Sequence, residues 1–312
     1  MTQQLQGVFP VLPTPFTTEG AVDPDAMDRV VDFALDCGVA GVVFPGFASE
    51  VEALTPNERT LLLRRVADRV AGRVPIVAGA SAATAEGAIA HARTAIDCGV
   101  DTAMIQSPSS VGADPEAVAE FYRAIADAVP GLTILLQHAP APRGSDLPPE
   151  VMLRIVSENP AIRYVKEETL PAGGAISALI GGGVAHLAGV MGGGGSRYIT
   201  EEYERGACGA MPALELADAH VTLDRAWRAG DRTRARDIYM RTLPLLLIQA
   251  NFRMRFTKYV LMRRGVLSNT VVRGTVPAWD DVDIREVDFW LDRVADLLPV
   301  GNPVGQPAGA PE

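Results

Sequence analysis

The chain has 312 residues, 48% of them hydrophobic, enough to fill a sizeable core in one large domain or two ordinary ones. Its net charge of −10 disfavours an anionic partner, so neither nucleic acid nor a membrane surface is expected to bind it. It shows no signal-peptide pattern, no apolar run of about 18 residues and no metal-ligand spacing among Cys37, Cys98, Cys208 or its four histidines, so we expect a cytoplasmic protein without a metal.

Short apolar strands alternate with helical patterns from the N-terminus onward. Expected strands are Val8–Leu12, Val42–Phe44, Pro75–Ala78, Ala103–Gln106, Thr133–Leu136, Arg163–Val165, Ala185–Ala188 and Gly209–Met211. Between them the spacing predicts helices over Asp25–Asp36, Pro56–Ala71, Ala85–Asp97, Pro115–Val129, Pro148–Ser157, Gly173–Ile180 and Ser196–Arg205. Two segments echo each other, Ala34-Leu35-Asp36-Cys37-Gly38-Val39 and Ala95-Ile96-Asp97-Cys98-Gly99-Val100; each reads as a helix closed by glycine and running into a strand. Eight strands in this alternation imply parallel βαβ units and favour an α/β fold, a (β/α)8 TIM barrel, over an open doubly wound sheet. After Met211 the alternation stops. Ala213–Ala229, Arg232–Ile248, Phe252–Arg264 and Ile284–Leu298 read as helices. We therefore expect a barrel over residues 1–212, an appended helical region over 213–300 and a disordered Pro/Gly-rich tail over 301–312.

In such a barrel the chemistry sits at the C-terminal ends of the strands. The chain contains only two lysines, Lys166 and Lys258, and arginine makes up the rest of its 28 basic residues. Arginine replaces lysine as a surface charge but cannot form a Schiff base. Lys166 ends the sixth strand, where apolar walls favour the neutral amine that attacks a carbonyl. Lys258 lies in the basic run Arg253-Met254-Arg255-Phe256-Thr257 and reads as an ordinary solvated charge.

The motifs Thr14-Pro15-Phe16, Gly46 with Glu50, Leu54-Thr55 with Glu58-Arg59, Gly79, Pro108, Asp146-Leu147-Pro148 and Val165-Lys166-Glu167 occur in order across nearly the whole chain. In this order the chain resembles the dihydrodipicolinate synthase and N-acetylneuraminate lyase superfamily of Schiff-base-forming lyases. That resemblance implies the barrel with C-terminal helices, an imine on Lys166, no separate cofactor, a small 2-keto acid substrate and a homo-oligomer, either dimer or tetramer. It also points to the loop Gly46, Phe47, Ala48 and Ser49 as a carboxylate site, with Ala48 and Ser49 N–H groups as donors and Glu50 as a structural acceptor.

The chain departs from the family in one set of residues. The usual Gly-Thr-Thr-Gly-Glu loop has become Gly46-Phe47-Ala48-Ser49-Glu50, and the tyrosine pair after strand four has become Ser109-Ser110. Gln137 stands where the family places its tyrosine proton shuttle. The family's neighbouring arginine aligns with Pro142, and Arg143, one position on, can substitute for it. Glutamine is neither acid nor base, so the proton work must move. Glu168 is two residues beyond Lys166 and on the same face if the strand continues, and an apolar mouth would raise its pKa. His138 is the other titratable candidate, though it reads better as structural.

In the run Gly189-Val190-Met191-Gly192-Gly193-Gly194-Gly195 the four consecutive glycines are expected either to offer backbone donors to a ligand oxyanion or to form a flexible loop, with Gly189, Gly192, Ser110 and His138 completing the substrate-binding list. The Ser196-Arg197-Tyr198, Arg205-Gly206-Ala207 and Met211-Pro212-Ala213 segments resemble the 2-keto-3-deoxy-arabonate dehydratase branch. The expected activity is dehydration of a 2-keto-3-deoxy sugar acid by Lys166, Glu168 and Gln137. A pyruvate-dependent aldolase, a hydroxypyrroline-carboxylate deaminase and a catalytically silent keto-acid-binding barrel are the alternatives.

Overall fold

The computed structural model describes residues 4–301; the expected tail from 302 onward lies outside them. In chain order the elements are β1 (Gly7–Val8), α1 (Pro24–Asp36), β2 (Val42–Val43), α2 (Pro56–Val70), β3 (Ile76–Gly79), α3 (Ala85–Asp97), β4 (Thr102–Ile105) and α4 (Pro115–Ala128). They continue with β5 (Thr133–His138), α5 (Pro149–Glu158), β6 (Ile162–Glu167), α6 (Ala172–Gly181), β7 (Gly189–Gly192), α7 (Ile199–Glu204) and β8 (Gly209–Ala210). Helices α8 (Ala217–Arg228), α9 (Arg232–Phe252), α10 (Met254–Arg263) and α11 (Asp281–Arg293) follow. Eight parallel strands alternating with helices, then a helical extension, make this a (β/α)8 fold. Among the described residues no helix is long and apolar enough to cross a membrane.

The chain divides into two compact units. The first comprises residues 4–9 and Pro75–Met211. Its strands run in the order β1-β8-β7-β6-β5-β4-β3, all parallel. Their buried apolar runs, such as Thr102–Ile105 and Thr133–His138, suit a parallel sheet covered on both faces. The register sets the site: Gln137 pairs with Lys166, His138 with Glu167, Lys166 with Met191 and Glu167 with Gly192. Paired residues of a parallel ladder share a face, so Gln137, Lys166 and Met191 face one way, His138, Glu167 and Gly192 the other.

The second unit holds Pro10–Val74 and residues 212–301. Helix α1 starts where Asp23 accepts from Ala26 N–H at 2.9 Å and Pro24 supplies a first-turn residue with no donor to satisfy. Helix α2 starts in the capping box of Thr55 and Glu58. Arg264, buried at the C-terminal cap of α10, pairs with Asp218 of α8 and donates to Glu215 O at 2.7 Å. This ties two of the terminal helices together.

Three expectations need correction. The seventh strand is Gly189–Gly192, not Ala185–Ala188. Glycine's weak strand propensity made the true strand read as a loop, while Leu187 N–H closes a turn onto Val184 O. The first strand stops at Val8 because Pro10 has no N–H for the ladder; Val11 contributes only isolated bridges to Val43 and Ala213. The segment expected as one helix from Ser196 is a 3-10 turn over Gly194–Ser196 followed by α7.

Candidate active site

Lys166, the penultimate residue of β6, is 4% exposed, and its Nζ lies 2.8 Å from Glu168 Oε1. Glu168 falls one residue past the strand, yet its N–H still donates to His138 O at 2.9 Å. That bond extends the ladder and keeps Glu168 on the face of Lys166. The other oxygen, Oε2, accepts from Gln137 Nε2 at 2.8 Å and Arg143 at 2.7 Å. Lys166, Glu168 and Gln137, three residues picked from the sequence, thus converge in one unit, and Arg143 joins them.

The charge state of Glu168 differs from expectation. Burial does push its carboxyl upward, but the charges of Lys166 and Arg143 and the hydrogen bonds from Lys166 and Gln137 outweigh it and hold it at about 2. The apolar mouth imagined from sequence is an ion-pair network. Glu168 is a carboxylate there, and Lys166 is its counter-ion.

His138 is turned away from this network. Leu147 N–H donates to its Nε2 at 3.0 Å, which places the ring proton on Nδ1, facing Glu167 Oε2 at 2.7 Å. Both ring nitrogens are occupied by the protein, so His138 is structural and offers no nitrogen to a substrate. Glu167 is likewise held, its Oε1 accepting from Thr169 N–H at 2.8 Å and from the Thr169 hydroxyl.

The glycines at and just past the end of β7 serve side chains. A Cβ on Gly193 would collide with Glu168, and one on Gly192 would collide with the carboxyl of Glu202 from α7. Expected backbone donors for a ligand, they make room for two glutamates. Gly189 opens β7, three residues before Gly192 at the opposite end of the strand, with Cys208 packed against its α-carbon. It is therefore not at the C-terminal edge. Ser110 is exposed and its hydroxyl donates to Ala83 O at 2.9 Å.

Gly46, Phe47, Ala48 and Ser49 belong to the second unit. Ser49 is fully buried; its hydroxyl donates to Leu12 O at 2.5 Å and accepts from Gly46 N–H at 2.9 Å. Its own N–H donates to Gly46 O, so it is not one of the two expected anion donors. Phe47 is 37% exposed, with the Arg253 guanidinium 5.3 Å from its ring.

Lys258 corrects the sequence reading most sharply. It is 1% exposed, 2.5 Å from Glu50 Oε1, bonded to Val271 O at 2.6 Å and set 4.1 Å over the Phe16 ring. Glu50 in turn accepts from Arg273 and Gly274 N–H groups, both at 2.7 Å, as the structural acceptor expected of it. Lys258 is a buried counter-ion, not a solvated charge. Two roles are not readable from the sequence. Arg143 was seen but not as a partner of Glu168, and Glu202 sat in a run of surface-like charges, Glu201-Glu202-Tyr203-Glu204-Arg205.

Comparison with known proteins is consistent with this geometry. The sequence model of the Dihydrodipicolinate synthetase family matches residues 4–281. The L-2-keto-3-deoxyarabonate dehydratase of Azospirillum brasilense is 32% identical over 280 residues, spanning 88% of this chain and 90% of that protein. The 4-hydroxy-tetrahydrodipicolinate synthase of Stenotrophomonas maltophilia (strain K279a) is 35% identical over 163 residues, 52% of this chain and 54% of that protein. Among solved structures, a dihydrodipicolinate synthase from Rhodopseudomonas palustris superposes with a TM-score of 0.86 at 28% identity, covering 93% of this chain and 97% of its own.

Proposed function

The chain belongs to the dihydrodipicolinate synthetase family, a family of lyases, and from that premise we propose that it dehydrates a small 2-keto-3-deoxy sugar acid through an imine on Lys166. The observation that carries the proposal is the buried contact of Lys166 Nζ with Glu168 Oε1 at 2.8 Å, together with the likeness over most of the chain to a 2-keto-3-deoxyarabonate dehydratase.

The steps follow from charge. Lys166 passes a proton to Glu168 Oε1, and the neutral amine adds to the C2 ketone. Loss of one water, with return of the proton, gives the iminium beside a Glu168 carboxylate. The iminium acidifies the C3 protons, and Glu168 takes one. That transfer turns iminium and carboxylate into enamine and neutral acid, so two buried charges disappear together. Glu168 is a weak base while Lys166 is charged, but once that charge goes, burial favours its protonated form. The enamine then expels the C4 hydroxyl, which leaves as water with the proton held by Glu168. Hydrolysis of the resulting unsaturated iminium frees Lys166. Net, one water is lost and the lysine is regenerated; the iminium is the electron sink, so no metal or organic cofactor is assigned.

Gln137 fixes Glu168 by one hydrogen bond and Arg143 by another. With no phenol at position 137, the proton path runs through the carboxylate. A second reading, carbon–carbon lysis or condensation on the same imine, draws on the 163-residue likeness to a synthase. Assembly into a dimer or tetramer is part of the proposal, and light scattering checks it.

Borohydride reduction in the presence of pyruvate tests the chemistry. A pyruvyl adduct located on Lys166 by mass spectrometry is expected; its absence removes every imine-based reading, and a keto-acid-binding barrel without activity takes their place. Product analysis on 2-keto-3-deoxy-pentonates then separates the two lyase types, because carbon–carbon cleavage releases pyruvate and dehydration does not.

A further inference from the structure

The end of β7 carries two carboxyl groups on opposite sides of one strand. Gly193 gives its side-chain space to Glu168, and Gly192, which pairs with Glu167, gives its space to the carboxyl of Glu202. Successive strand residues face opposite ways, so Glu202 lies on the face of Glu167 and His138, across the backbone from Lys166.

Three carboxyls, Glu167 and Glu202 buried and Glu168 with 10% of its side chain exposed, therefore crowd the ends of two strands. Glu168 is satisfied by Lys166, Arg143 and Gln137, and Glu167 by His138 and Thr169. Glu202 is 1% exposed, and its Oε2 has no hydrogen-bond partner among the described residues. A carboxylate without donors is heavily penalised in such a place, and a neutral carboxyl much less so. The facing groups add to this. Glu167 comes from β6 and Glu168 from just beyond it; Glu201 is on α7 itself, and all three are acidic, with Arg197 in opposition. Helix α6, which packs on α7, carries no charged residue, and β8 is Gly209-Ala210. Burial, then these acidic neighbours, push the Glu202 carboxyl up to about 8.

We infer that Glu202 is a positioning residue: as a neutral carboxyl it fills the side-chain space of Gly192 and holds the end of β7 against Glu168, and its ionisation dislodges that end. The inference deepens the proposed function and rests on Glu168 and Lys166 being its reacting pair. It assigns the reaction an alkaline limit that belongs to neither of them.

Two measurements on the intact protein test it. Infrared difference spectra of the ligand-free wild type are expected to show two buried protonated carboxyls, Glu215 lost around pH 7 and Glu202 around pH 8, and Glu202→Gln is expected to lack only the second transition. In parallel, borohydride trapping with pyruvate is followed against pH. Its yield in the wild type is expected to fall roughly tenfold per pH unit above the transition, whereas Glu202→Gln retains trapping there. Glu202→Met, neutral and similar in length, is the second variant should the glutamine protein not fold. Alkaline limbs that coincide in wild type and variants, or a wild type without the second transition, overturn the inference. Failure to trap at every pH in all proteins instead sinks the imine reading, while the ligand-free infrared titration still reports on Glu202.

Discussion

Glu168 Oε1 lies 2.8 Å from Lys166 Nζ while Oε2 holds Gln137 and Arg143, so one carboxylate joins the reactive amine to both residues that position it. Each step that changes the charge of the lysine changes the proton affinity of the carboxylate beside it.

Replacing Glu168 by Gln removes the proton carrier while preserving shape. Turnover on a 2-keto-3-deoxy sugar acid is expected to fall by about 10²–10⁴-fold, the usual worth of a positioned acid–base group. The borohydride adduct at Lys166 with pyruvate should still form, though more slowly, because water can take and return the lysine proton that Glu168 otherwise carries. Undiminished turnover would take Glu168 out of the mechanism.

Arg143 is the second cation holding Glu168 low. Arg143→Met removes that charge and one hydrogen bond, so the Glu168 carboxyl moves up from about 2. The sign follows. A depressed carboxyl contributes stability above its unfolded pKa and loses it as pH falls through the folded one. In the variant the folded value lies nearer the unfolded one, so this contribution is smaller and is used up at a higher pH, and the acid limb of kcat/KM shifts upward. Arg143→Lys keeps the charge and should stay nearer the wild type. Superimposable acid limbs for all three proteins would contradict the assignment.

What the sequence made legible was what depends on near neighbours. Lys166 and Glu168 share a face because a strand alternates, a short-range rule, whereas Gln137 stood out only through the family resemblance and the parallel register sets it beside Lys166. Three things followed from neither. The partner of Lys258 is Glu50, 208 positions away in the chain, and nothing in the basic run around Lys258 signals it. The depressed Glu168 carboxyl depends on where the Arg143 side chain turns, which no pattern encodes. The glycines of β7 looked like a ligand loop, because a glycine kept for a ligand and one kept for a buried glutamate are the same letter.

The Glu50–Lys258 pair is buried at both ends, so removing one partner strands the other. Lys258→Met is expected to destabilise the protein by about 3–5 kcal/mol, read as a lower midpoint in urea or heat, with no loss of the Lys166 adduct in the protein that remains folded. Burial lowers the Lys258 ammonium to about 8 from an ordinary 10.5, against the attraction of Glu50. Between those values the unfolded chain binds more protons than the folded one, so this group makes stability rise with pH there. The variant should lack that rise. A Lys258→Met protein as stable as the wild type would show that the pair is dispensable.

Neither Gly192 nor Gly193 has a positive φ, so their substitution tests side-chain space first. Gly193→Ala would drive a methyl into Glu168 and displace it from Lys166; kcat is expected to fall while the fold survives. Gly192→Ala would instead meet the Glu202 carboxyl on the other side of the strand, where burial leaves that group nowhere to move. The two defects differ in their remedy. Glu202→Ala should restore much of the stability lost by Gly192→Ala, because it empties the space the new methyl needs, and should do nothing for Gly193→Ala. A double-mutant cycle in urea measures this, and residues in direct contact typically couple by about 0.5–3 kcal/mol. Additive effects at Gly192 and Glu202 would mean that the carboxyl does not occupy that space, and the glycine would then need another explanation.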